Sequence, residues 1–181
     1  STTRYKTQKI KRKAFSFSSN NEMNGIINFL NKETNSNIKE KINFTASGLY
    51  NDNKKHSPQT VALHNDNKQY FISSDIQSSW ICLDFKDKRV IPTDYTIRSS
   101  SDENFMRSWT FEGSNDNINW TTIDEQKDCQ HLKGCGYNYT FKIKNQTSTE
   151  FRYIRIHHKG PNWLNQNFLI LESLEIYGSL V

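Results

Sequence analysis

The stretch SWTFEGSNDNINW, residues 108–120, decides how this chain folds. Two tryptophans bracket a Gly-Ser-Asn-Asp-Asn run that reads as a phosphate cradle, a calcium loop or a bend. A phosphate cradle needs a helix N-terminus beyond it, whereas "WTTID" follows and reads as a strand. A calcium loop needs several carboxylates at alternate positions, and here only Asp116 is present. Trp109 and Phe111 share one strand face, residues 113–117 tolerate positive φ, and the chain returns at Trp120. The run is therefore a β-hairpin.

Outward from it the period is two. "INFTAS" sets Ile42, Phe44 and Ala46 against Asn43 and Thr45, and "YNYTFKI" sets Tyr137, Tyr139, Phe141 and Ile143 against Asn138, Thr140 and Lys142. "SWICLDF", residues 79–85, is apolar on both faces, as a central strand is. "DYTIRS", "RSWTFEG", "WTTID", "FRYIRIHH" and "SLEIYG" complete the set, separated by Asn, Asp, Gly, Ser and Pro clusters. Only "NNEMNGIINFLNKE" has helical spacing, with Met23, Ile26, Ile27 and Leu30 on one side and Asn20 or Asn21 available as N-cap. Many short strands without helices between them predict an all-β antiparallel sandwich with one short N-terminal helix.

The 181 residues fit one domain with a core of its own. No apolar run approaches the roughly 20 residues needed to cross a bilayer, and the basic first residues lack the apolar stretch of a signal peptide. A soluble chain is expected, beginning with Ser and so processed or cut from something longer. The net charge of +5 sits unevenly: residues 1–13 hold six cations and no acid, leaving 18 basic against 19 acidic groups elsewhere. Residues 1–20 are thus expected to form a basic tail and residues 21–181 the sandwich. Such a tail is a solvated linker, or touches phosphates or anionic lipid non-specifically. The remainder has no electrostatic footprint for nucleic acid.

Cys82 reads as a small buried hydrophobe in its strand. Cys129, His131 and Cys135 in "CQHLKGC" are one ligand short of a four-coordinate zinc site, so a plain polar loop is expected there, with a Cys129–Cys135 disulfide as the other use of the thiols. His157 and His158 are strand neighbours on opposite faces and cannot share a metal; Asp124 and Glu125 fail as a catalytic pair for the same reason. With no nucleophile elbow, Gly-rich phosphate loop or HExxH motif, no enzyme is expected. Four N-x-S/T sequons, at Asn43, Asn119, Asn138 and Asn145, point outside the cell, although Asn43 and Asn138 fall within strands.

In order, "INFTAS", "SSWICLDF", "YTIRSS", "SWTFEGSNDNINWTTID", "FRYIRI" and "LESLEIYG" resemble the successive strands of a discoidin domain, the coagulation-factor type C module of the galactose-binding-like jelly rolls. The resemblance runs from about residue 21 to 180. "NGIINFL" and "HKGPNWLNQN" are similar to the intracellular, adaptor-associated variety, and the terminal cysteine pair of the secreted variety is absent. It implies a cytoplasmic binding module for a partner protein, with a lectin-like carbohydrate module as the alternative and extracellular adhesion left open. It implies no cofactor; a structural calcium ion held by backbone carbonyls occurs in such folds, but no residue set here identifies one. The ligand loops would be residues 48–58, 64–67 and 99–106, whose polar tips argue against membrane insertion. Their candidate ligand residues are Tyr50, His56, His64, Asp102, Glu103 and Arg107. Trp80, Trp109 and Trp120 fall where the family packs its core, and Trp163 is either core lid or exposed anchor.

Overall fold

The computed structural model describes residues 11–64, 69–101 and 103–181. Its strands are β1 Lys13–Phe15, β2 Asn43–Ala46, β3 Phe71–Ile72, β4 Trp80–Asp84, β5 Val90–Arg98, β6 Trp109–Ser114, β7 Thr121–Gln126, β8 Asn138–Lys142, β9 Tyr153–His158, β10 Ile170–Leu171 and β11 Ser173–Leu180. They form a four-stranded sheet ordered β1-β11-β5-β8, a five-stranded sheet ordered β2-β4-β9-β6-β7 and the small pair β10-β3. Every pairing is antiparallel. As the alternation requires, Ile81, Leu83, Trp109, Phe111, Ile154 and Ile156 of the larger sheet are fully buried, as are Tyr95, Ile97, Leu174 and Ile176 of the other. The Tyr95 and Phe111 rings stack across the gap at 4.3 Å. Tyr95 keeps its buried hydroxyl satisfied by donating to Asp124 Oδ2 at 2.7 Å and accepting from Trp109 Nε1 at 3.2 Å.

The helix α1, Ile26–Glu33, lies over the outer face of β11. Neither Asn20 nor Asn21 caps it. Gly25 is the N-cap and offers no side chain, and the first free amides instead donate to the Glu175 carboxylate of β11, Ile27 N at 2.8 Å and Asn28 N at 3.0 Å. The tail boundary also moves: Lys13 pairs with Leu180 and Phe15 with Gly178, while Phe17 meets the Tyr177 ring edge-on at 5.6 Å. Residues expected in a tail ending near residue 20 are an edge strand, because Phe15 and Phe17 supply apolar anchors that a basic run lacks.

The hairpin between β6 and β7 is a bend stabilised by its own polar side chains. Asp116 accepts from the backbone of Ile118 at 2.9 Å and of Asn119 at 2.8 Å, and Asn117 takes the positive φ of 60°. Gly113 serves space rather than φ, since a Cβ there would strike the Phe151 ring. Of the tryptophans expected in the core, only Trp109 is fully buried; Trp80 and Trp120 are half-buried, and Trp120 packs under Arg155 at 4.0 Å.

Candidate functional site

The strand directions gather the described parts of the connections 47–79, 99–108, 127–137 and 159–169 at one end of the sandwich. They are tied to one another there. Trp163 N donates to Phe105 O at 3.2 Å, Trp163 Nε1 to Cys129 O at 3.2 Å, Cys129 N to Arg107 O at 2.8 Å and Asn167 N to Asp75 Oδ1 at 2.9 Å. The loop that presents Trp163 is organised by Asn162, which is fully buried: its Oδ1 accepts from Leu164 N and Gln166 N, each at 3.0 Å. Gly160 precedes it with φ of 90°, a turn that a β-carbon would strain.

Beside Trp163 opens a cleft of about 360 Å³ lined by Glu103, Phe105, Lys133, Cys135 and Leu164. Two cations sit over the indole, the Arg107 guanidinium at 4.8 Å and Lys133 Nζ at 4.3 Å from the ring centre. Arg107 Nε donates to Asp128 Oδ1 at 2.6 Å, so its charge is matched by a neighbouring loop. Leu164 stands half exposed at the rim.

The six expected ligand residues do not form one set. Glu103 and Arg107 meet around Trp163, as above. Tyr50 is exposed and packs edge-on against Phe168 at 5.4 Å. His56 stacks on Tyr70 at 4.4 Å with Nδ1 3.1 Å from the Tyr70 carbonyl. His64 turns inward: Nε2 lies 2.7 Å from Leu174 O and Nδ1 3.7 Å from Glu175, with a side chain 7% exposed, so it braces β11 instead of facing a loop-end ligand. Asp102 and residues 65–67 lie outside the described residues. Sequence reasoning passed over Lys133 and Leu164 and left Trp163 open. The Trp-Leu pair after Gly-Pro was the available signal, since two bulky apolar residues in a polar loop need a partner.

The loop end is also less polar than its tips suggested, for Ile76, Tyr137 and Leu164 are exposed there with Tyr50. The "CQHLKGC" loop disperses its ligand types. Cys129 is buried and its thiol pKa raised by that burial, Cys135 is exposed, both are free thiols, and His131 stacks on Tyr139 at 3.7 Å. Among the described residues no group of three or more His, Cys, Asp or Glu side chains converges to hold a metal. No helix among them is long and apolar enough to cross a membrane.

A β-sandwich that gathers its long connections at one end, around a cleft with an aromatic floor, defines a binding module of the galactose-binding-like class. The model of the F5/8 type C domain matches residues 43–172, and the chain belongs to that family. An E3 ubiquitin-protein ligase, hecd-1 of Caenorhabditis elegans, is 32% identical over 95 residues, which is 51% of this chain and 4% of that protein. The chain thus corresponds to a small part of that relative's length. An F5/8 type C domain from Bacteroides fragilis superposes with a TM-score of 0.61 at 14% identity, covering 77% of this chain and 92% of the other. A chitosan-binding module of a Paenibacillus chitosanase/glucanase gives 0.56 at 18% identity, covering 75% and 93%. At these identities the solved structures speak for the fold alone.

Proposed function

We propose that this domain is a non-catalytic module of a larger intracellular chain and recognises a partner protein through the cleft beside Trp163. The observation that carries the reading is the indole with Arg107 and Lys133 over its ring and Leu164 exposed beside it. A sugar ring stacks its C–H face on a bare aromatic platform, and here two cations take up that ring. A peptide is better served: an apolar side chain packs on Phe105 and Leu164 while a neighbouring carboxylate meets the cations. The likeness to a ligase of much greater length fits a recognition role within a larger assembly.

A glycan remains the second reading, favoured by the exposed ring of Tyr50 and by the fold shared with a chitosan-binding module. Lysate capture and a glycan array, each with wild type, Trp163→Ala and Arg107→Ala, separate the two. Specific protein capture lost in both variants, with a silent array, supports the first. Glycan binding lost on substitution establishes the second, and capture retained by both variants moves the working surface off the loop end.

A further inference from the structure

At the opposite end of the sandwich, where β11 finishes against β1, a cleft of about 470 Å³ is bounded by Lys11, Arg12, Lys13 and Lys88. Among the described residues that line it the only acid is Glu33, and Phe29 and Leu180 contribute apolar surface. The cations are under-matched. Arg12 has a 3.4 Å contact with Glu150, whereas Lys11, Lys13 and Lys88 have no carboxylate partner among the described residues. The rest of the chain is near neutrality, so this concentration of charge is local.

We propose that this cleft is a second docking site, distinct from the loop end, for an acidic peptide segment of a partner in which carboxylates flank an apolar residue. The four cations take the carboxylates and the Phe29–Leu180 floor takes the apolar side chain. The volume lies in the range of enclosed ligand sites and suits a short peptide stretch. A membrane is a poorer match, because a concave cleft withdraws its apolar floor from a flat bilayer surface. Single-stranded nucleic acid is a poorer match too, since a base needs a whole ring face to stack on and Lys13 Nζ sits 3.5 Å over the centre of Phe29, whereas an aliphatic side chain needs only the Phe29 and Leu180 atoms that line the cleft.

The test is fluorescence anisotropy with a labelled peptide about a dozen residues long, built of Glu-Glu-Leu repeats, at low and physiological salt. Wild type should bind it. The double variant Lys11→Glu with Lys88→Glu should bind roughly tenfold more weakly or less, with an unchanged melting curve. A peptide with Ser in place of Leu should also bind more weakly. Arg107→Ala should bind as wild type does, which keeps this site's failure separate from that of the loop end. The proposal is overturned by absence of wild-type binding, by equal binding in the double variant or by loss in Arg107→Ala. Phosphatidylserine vesicles or oligo-uridine that bind through Lys11 and Lys88 without competition from the peptide would overturn it as well.

Discussion

Glu175 is a charged residue with no solvent exposure, and it holds two elements together. Its carboxylate accepts from Ile27 and Asn28 at the start of α1 and from its own neighbour Ile176 at 2.8 Å. The charge suits the positive end of a helix dipole, and the buried amides would otherwise be unpaired. Glu175→Ala should cost about 2 kcal/mol or more in urea unfolding at neutral pH, and Glu175→Gln, which keeps an acceptor, distinctly less. His158 sets a pH dependence. It is 1% exposed, neither ring nitrogen has a hydrogen bond of ordinary geometry, and burial lowers its pKa from 6.5 to about 4, the Asn167 backbone offsetting only part of this. The fold therefore holds the neutral ring. Between those two values the unfolded chain binds more protons, so stability is full above pH 6.5 and falls as pH drops towards 4, by roughly 3 kcal/mol. Unfolding of His158→Met across that window should show a shallower loss than wild type; parallel curves would remove His158 as the cause.

Among the elements, the strands were legible and their boundaries less so. Alternation located β2 and β8, and the doubly apolar run located β4, which lies between β2 and β9. The edge strand β1 was missed because its three residues carry no period of their own and exist through pairing with β11. Removing residues 1–10 should leave the melting temperature within about a degree or two, as expected of a basic terminus. Removing residues 1–17 takes Phe15 and Phe17 from Phe29 and Tyr177 and should lower it by about 5 °C. A second element depends on one glycine: the register of β11 against β5 shifts between Tyr177 and Gly178, where φ is 130° and a Cβ would collide with the Ile91 carbonyl. Gly178→Ala should destabilise by about 2 kcal/mol or more, measured by denaturant midpoint.

At the scale of the whole molecule, the three thiols report on opening. Cys135 is exposed, Cys129 is buried, and Cys82 lies in a central strand with its pKa pushed up to about 12 chiefly by burial. One thiol should react promptly with a disulfide reagent in the native protein, and all three in denaturant, with Cys82 modified at the rate of global unfolding. A Cys82 that reacts as fast as Cys135 would contradict the packing described. The two clefts, at opposite ends of β11, draw on different parts of the chain. Glu103 and Arg107 were visible from sequence as polar residues of one loop, but Trp163 and Lys133 join them from loops 26 or more residues further on. By itself the sequence determined what local physics controls: the period-two strands, the 108–120 hairpin, the apolar face of α1 and the family resemblance that follows from their order. Tertiary structure alone decided which loops meet, that His64 turns inward and that a buried glutamate caps the helix. Those outcomes depend on through-space burial and hydrogen bonding between distant segments, which no local pattern of residues encodes.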